Sequence, residues 1–410
     1  MNVPPFSLKN QLSELGAELE DVVLDVLRSG QFIGGSVVDS FEKSFGEYTG
    51  INNVVGCNSG TDALVLSLRA LNIGHGDEVI TSSFSFFATA EAISLVGAKP
   101  VFIDTEQDSF LLDTNKIEKV ITERSKAIIP VHLFGQPVNM EKILEISKKF
   151  NLKVIEDCAQ ALGSTWKEKS VGSWGDIGCF SFFPTKNLGA AGDAGAVATN
   201  DIELAKRLRE LAIHGMPSRY FHTRIGYNSR LDSIQAAVLK VKLSKLTNWI
   251  KKRNLIAEKY KNSLKNINGL ILPDSLGDSK SIHSWNQFVI KIDSNHSLPI
   301  NEINNNDLDN TSNILNKENH RDIFKKNLEN LGVKTIIYYP IPIHLQPAYI
   351  HLGYKKGCLP KTEDLCEKVL SLPIFPELSD KQQDHVINSV KSLFLKLNVK
   401  EFASSMPGGN

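Results

Sequence analysis

Five short apolar runs punctuate the first half of the chain, and they limit its fold more than any other feature. They are Glu78–Thr81 (EVIT), Pro100–Asp104 (PVFID), Ala127–Val131 (AIIPV), Leu152–Asp157 (LKVIED) and Ile177–Phe183 (IGCFSFF). Each is rich in β-branched or aromatic residues, the mark of strands covered on both faces. Helical patterns accompany them. Leu15, Leu19, Val22, Val23, Val26 and Leu27 share one helical face and end at Gly30. A second helix starts near Thr61 (TDALVLSLRAL), and Met140–Phe150 (MEKILEISKKF) separates two of the runs. Strands alternating with helices predict an α/β fold, a mainly parallel mixed sheet with helices on both faces.

At 410 residues the chain exceeds one ordinary core, so two domains are expected. An N-terminal arm, 1–12, precedes a large domain, 13–250. A long amphipathic segment from Leu231 to about Leu264 leads into a smaller C-terminal α/β domain, 251–395. That domain contains Trp285–Ile292 (WNQFVIKI) and Val333–Tyr339 (VKTIIYY), and a tail, 396–410, follows. Ser294–Asn319 is rich in Asn, Asp and Ser and reads as a mobile surface insertion.

Lysine plus arginine and aspartate plus glutamate number 46 each, so no excess charge points to nucleic acid or an anionic membrane. No apolar run is long enough to span a bilayer, and MNVPPFSLKNQ lacks the segments of a signal peptide. The cysteines at 57, 158, 179, 358 and 366 form no CxxC pair and suit free thiols in the cytoplasm. Cys158 and Cys179 read as small buried hydrophobes, and no metal site is expected.

One residue sits oddly in this frame. Lys186 follows Phe182, Phe183 and a proline, then meets a tract of small residues with glycines at 189, 192 and 195. A lysine at the exit of a buried strand is desolvated, which lowers its pKa and makes it a nucleophile. Ligands of open α/β sheets bind at the carboxyl ends of strands, so the residues there form its company. Asp157 and Gln160 follow LKVIE, Ser181 ends IGCFS, Phe86 follows EVITSSFS, and Ser59-Gly60-Thr61 opens a helix after VVGCN. Singly these are a cap, a polar residue or a core ring. Together they are an anion site at a helix N-terminus, an aromatic plate, a carboxylate and an amine. That set holds pyridoxal 5′-phosphate.

The run Glu156–Asp201 (EDCAQALGSTWKEKSVGSWGDIGCFSFFPTKNLGAAGDAGAVATND) resembles the core of the DegT–DnrJ type sugar aminotransferases, of pyridoxal-phosphate fold type I. SGQFIGGSVVDSFEKSFGEYTG, NSGTDAL, FSFFATAEAI, PVHLFGQPVNM, IGYNSRLDSIQAAVL, YYPIPIHLQPAY and LSLPIFPEL resemble further family blocks in the family's order. The longer Ser294–Asn319 insertion departs from that pattern.

The resemblance implies roles. Lys186 would carry the cofactor on its amine and then shuttle a proton, and Asp157 would pair with the pyridine nitrogen. Phe86 would stack on the ring, and Gln160 would reach the phenolic oxygen. Gly60, Thr61 and Ser181 would hold the phosphate. Asn228, in GYNSR, would reach the phosphate of a neighbouring subunit, which implies a homodimer with shared active sites. Arg230, Tyr338 and His344 are expected to face substrate. The expected reaction is amination of a nucleotide-linked keto-sugar with glutamate as donor. The loop GDAG (Gly192–Gly195) resembles that of members acting at carbon 3.

Competing readings remain at this point. Related dehydratases replace the lysine with histidine, which Lys186 opposes. A non-catalytic, cofactor-binding regulatory protein is a further alternative. A nicotinamide dehydrogenase lacks its GxGxxG here.

Overall fold

The computed structural model describes residues 1–106, 109–273, 278–293 and 319–404. Its main sheet begins with β1 (Asn53–Cys57), β2 (Glu78–Ser82), β3 (Lys99–Ile103), β4 (Ser125–Ile129) and β5 (Lys153–Asp157). A small hairpin of β6 (Thr165–Trp166) and β7 (Lys169–Ser170) intervenes before β8 (Ile177–Ser181) and β9 (Gly195–Thr199). The seven strands lie in the order β1-β9-β8-β5-β4-β2-β3. All pairings from β8 across to β3 are parallel, and β9 runs antiparallel to both β8 and β1. Ser181 and Gly195, which flank the loop 182–194, are paired neighbours, so the chain re-enters the sheet where it left it and the two strands run antiparallel. Because β9 alone is reversed, its first residue, Gly195, lies between Cys57 and Ser181, the last residues of β1 and β8, with Asp157 ending β5 on the far side of β8. This edge is where the chemistry gathers.

The strands expected from their apolar runs are present, within a residue or two at each end. The last run stops sooner than expected. Strand β8 ends at Ser181, Phe182 is buried, and Phe183 turns outward, 48% exposed. The chain reverses here, with the Lys186 N–H bonded to the Phe183 carbonyl at 2.8 Å.

Helix α1 (Lys9–Ser29) stops at Gly30, which takes a left-handed φ of 66°. Helix α2 (Ser36–Thr49) was not anticipated. It brings Phe41 and Phe45 edge-on against Phe182 at 5.6 and 5.4 Å and Phe45 against Phe180 at 5.0 Å, bracing the strand that leads to Lys186. The sheet is further covered by α3 (Gly60–Ala70), α4 (Ala88–Leu95), α5 (Met140–Phe150) and α6 (Ile202–Ala212).

Helix α7 (Ser233–Leu264) crosses between two cores. Its residues from Ala236 to Ile250 pack with α1, α2 and the loop after β8, whereas Ile256, Ala257, Tyr260 and Leu264 join a second core. That core lies on an antiparallel sheet of β10 (Leu270–Ile271), β11 (Phe288–Ile292) and β12 (Val369–Leu372), covered by α8 (His320–Asn330) with α9 (Pro360–Lys368) beside it and by α10 (Asp380–Ser404). The arm reaches the same core, where Val3 is fully buried and bridges Val333. Val333–Tyr339 forms isolated bridges in place of a regular strand, Val3 with Val333 and Ile336 with Ser371. The expected insertion lies outside the described residues, apart from Asn319, which caps α8. Helix α10 continues through the first part of the expected tail, to Ser404.

Candidate active site

The end of β1 and the start of α3 form a tight turn. Ser59 accepts the Asp62 N–H on its side chain and the Ala63 N–H on its carbonyl, both at 3.0 Å. The N–H groups of Gly60 and Thr61, one residue earlier in the first turn, have no partner among the described residues. Gly195 pairs with Cys57 on one side and Ser181 on the other. A Cβ on Gly195 would fall 2.4 Å from the Ser59 carbonyl oxygen, and one on Gly60 2.6 Å from the Ser181 Cβ. Hydrogen alone fits at both positions. The result is a small cradle of two free N–H groups and the Ser181 hydroxyl at a helix N-terminus, which favours an anion.

Asp157 ends β5 and is buried. Its Oδ2 accepts from the Thr89 hydroxyl at 2.8 Å and its Oδ1 from the Ala159 N–H at 3.1 Å. Burial pushes its pKa above the ordinary carboxylate value, against those hydrogen bonds and the charge of Lys186. Lys186 is partly buried, and its amine lies deep enough for desolvation to lower its pKa to about 8, with Asp157 opposing. Each group is displaced toward its neutral form. A cationic ring placed against Asp157 would reverse that displacement, so this pair fits a pyridinium better than water.

Gln160 is locked in orientation. Its Oε1 accepts the Phe134 N–H at 2.8 Å, which leaves the Nε2 amide to face the Tyr339 hydroxyl at 2.9 Å. Phe86 is 56% exposed, 6.2 Å from the Tyr339 ring between centroids, and so offers a free aromatic face. Behind Asp157, His132 accepts the Val138 N–H on Nδ1 at 3.0 Å, so its Nε2 carries the proton and donates to Glu156 at 3.0 Å. Glu156 also receives the N–H groups of Gly172, Trp174 and Gly175 at 2.7–2.8 Å. His132, Glu156 and Cys158 lie close enough to suggest a metal. The bonds on the first two instead describe a brace for the 172–175 turn.

The remaining expected site residues are Asn228, Arg230, Tyr338 and His344. Asn228 is exposed, its backbone bridged to Ile213 and its neighbour Ser229 bonded to Asn58 at 3.1 Å. Arg230 and Tyr338 are partly exposed. His344 does not serve as expected. It is fully buried, with Nδ1 bonded to Ser83 at 2.7 Å and Nε2 to Glu363 at 3.2 Å, so no ring nitrogen is left for a substrate. Thr89, Tyr339 and His132 went unnoticed in the sequence. Thr89 follows Phe86 by three residues, a signal visible only once a helix is placed there.

Comparison with known proteins identifies the family. The model of the DegT/DnrJ/EryC1/StrS aminotransferase family matches residues 13–311 and 306–391. A UDP-N-acetyl-3-dehydro-α-D-glucosamine 3-aminotransferase of Acidithiobacillus ferrooxidans is 42% identical over 93% of this chain and 95% of its own. A pleiotropic regulatory protein of Geobacillus stearothermophilus is 40% identical over 96% and 99%. The crystal structure of Streptomyces venezuelae DesV in complex with a ketimine intermediate superposes with a TM-score of 0.87, 38% identity and coverage of 96% and 98%. The chain belongs to the DegT/DnrJ/EryC1/StrS aminotransferase family, enzymes of fold type I that work with pyridoxal 5′-phosphate.

Proposed function

We propose that this protein transfers an amino group from glutamate to carbon 3 of a nucleotide-linked keto-sugar, as a cytoplasmic homodimer with shared sites. One observation carries the reading: a desolvated amine, a buried carboxylate and an anion cradle occupy one sheet edge. Pyridoxal phosphate bound there supplies an electron sink for exchanging an amino group. Gly60, Thr61 and Ser181 would hold its phosphate, Asp157 would keep the ring nitrogen protonated, Phe86 would cover a ring face and Gln160 would donate to the phenolic oxygen. The Lys186 Nζ would be the amine that holds the cofactor and, when free, the base that moves a proton at the substrate carbon. A base with a pKa of about 8 is well matched to that task near neutral pH.

The GDAG loop and the name of the Acidithiobacillus relative support carbon 3. The regulatory name of the Geobacillus relative keeps a second, non-catalytic reading in play. Adding glutamate to the yellow holoprotein separates them. The enzyme reading expects the visible band to move to shorter wavelength, and an amino sugar to form when keto-sugar nucleotides follow. A band that no amino donor moves, with no product from the sugar panel, would favour the regulator.

No helix among the described residues is long and apolar enough to cross a membrane. Support for the dimer comes from the exposed apolar side chains of Phe32, Ile33, Phe183, Tyr220, Phe221 and Ile225, a set that a second subunit would cover. Asn228 and Arg230 would then complete the partner's site. One hydrogen bond to a charged phosphate contributes about 1.5–3 kcal/mol, so Asn228→Ala should weaken cofactor retention without unfolding the protein. Mixing Lys186→Ala with a variant disabled at both Asn228 and Arg230 should restore partial activity through one intact site per heterodimer. Heterodimers that form yet stay inactive would show that each chain builds its own site.

A further inference from the structure

Helix α7 carries a lysine that packing alone does not explain. Lys242 is 2% exposed, and its neighbours Val241 and Leu243 share a core with Leu188 and Ala190. Its Nζ donates to the Gly189 carbonyl at 2.5 Å. Burial lowers its pKa to about 8, against the Glu377 carboxylate. A hydrocarbon side chain would fill such a place without desolvating a charge. The amine must therefore serve the carbonyl it holds.

Gly189 closes the loop that presents Lys186. Ala190 N–H bonds the Phe182 carbonyl at 2.7 Å, and a Cβ on Gly189 would fall 2.3 Å from the Pro184 carbonyl oxygen. The loop is thus folded tightly on itself with Lys186 between its two ends. Its other anchor is Asn187, which donates to the carbonyls of Leu162 and Ser284 at 3.3 and 3.2 Å and accepts from Asn286 at 3.0 Å. Among the described residues, Lys242 is the donor that the Gly189 oxygen has. The charges around Lys242 belong to a junction between elements. Glu377 accepts from Gln11 at 3.3 Å, and buried Arg253 donates to the carbonyls of Trp285 and Ile374 at 2.9 and 3.2 Å.

We propose that Lys242 is a positioning residue: its buried amine pins the Gly189 carbonyl and so fixes the loop that presents Lys186. This rests on Lys186 being the reactive amine of the proposed reaction. Releasing the anchor lets the loop rise and water reach Lys186. A displacement of about 1 Å can cost ~10²-fold in rate.

The test compares wild type, Lys242→Met and Lys242→Arg. In the cofactor-free proteins, acetylation of Lys186 across a pH series is followed by peptide mass spectrometry. The wild-type midpoint is expected near 8. In Lys242→Met it should rise by about half a unit or more, because renewed hydration favours the ammonium. In the holoenzymes, Lys242→Met should lower kcat about tenfold or more while KM for the amino donor stays within about twofold. Lys242→Arg, which keeps a cationic donor, should recover most of both. Should Lys242→Met fail to fold, Lys242→Gln takes its place with the same expected changes, being polar but too short to reach Gly189. Either quantity unmoved in a folded variant overturns the proposal. Borohydride mapping of the wild-type holoenzyme separates the two failures. An adduct away from Lys186 defeats the underlying reading, whereas an adduct on Lys186 with unmoved values defeats the role of Lys242 alone.

Discussion

Lys186→Ala is expected to fold, bind the cofactor and lose transamination. The loss should be ~10⁴-fold or more, since proton transfer by a placed base alone contributes about 10²–10⁴ and the covalent hold on the cofactor is lost as well. The fold should survive because the Lys186 amine makes no hydrogen bond to another described residue, so no partner is left unpaired. Removing a desolvated ammonium also removes an electrostatic cost, and the melting temperature should be unchanged or slightly higher. Cofactor should remain through Gly60, Thr61 and Ser181, which do not depend on the lysine. Thermal melts, cofactor absorbance and turnover measured on one preparation check all three statements. A variant that kept substantial turnover would remove Lys186 from the chemistry.

Asp157→Asn should produce the next largest loss, with little change in stability. An opposite charge in contact shifts a pKa by about 1–3 units, which is ~10- to 1,000-fold in the protonated population of a ring nitrogen. Turnover is therefore expected to fall about 10²-fold. Asparagine can keep both hydrogen bonds of the carboxylate: its Oδ1 accepts from Ala159, and its Nδ2 donates to the Thr89 hydroxyl. The substitution also relieves a carboxylate whose pKa burial has raised, so the melting temperature should hold. The measurement is turnover set beside a melt. Near-normal turnover in the folded variant would take Asp157 away from the ring nitrogen.

The parts of this site that were legible in the sequence are those written in local pattern. Short apolar runs gave β2–β5 and β8, and strand ends placed Asp157 and Ser181 on a shared edge. Strand β9 escaped because GAVAT is small and follows glycines, so it looks like more of the loop. It is nevertheless the strand that brings Ser181 against Gly60. The pattern also misled at Phe183, where an aromatic run continues past the end of the strand. His344 and Lys242 were illegible for a different reason. His344 is buried by Ser83, far away in the chain. Lys242, in LKVKLSKL, resembles any surface lysine until the Lys186 loop closes over it. Burial by distant segments leaves no local trace.

The central claim is that Lys186 holds the cofactor, and chemical trapping tests it most directly. Borohydride reduction of the holoenzyme, followed by digestion and peptide mapping, should place a reduced cofactor adduct on the peptide containing Ser181–Asn200, at Lys186. An adduct on any other lysine, with Lys186 unmodified, would contradict the account.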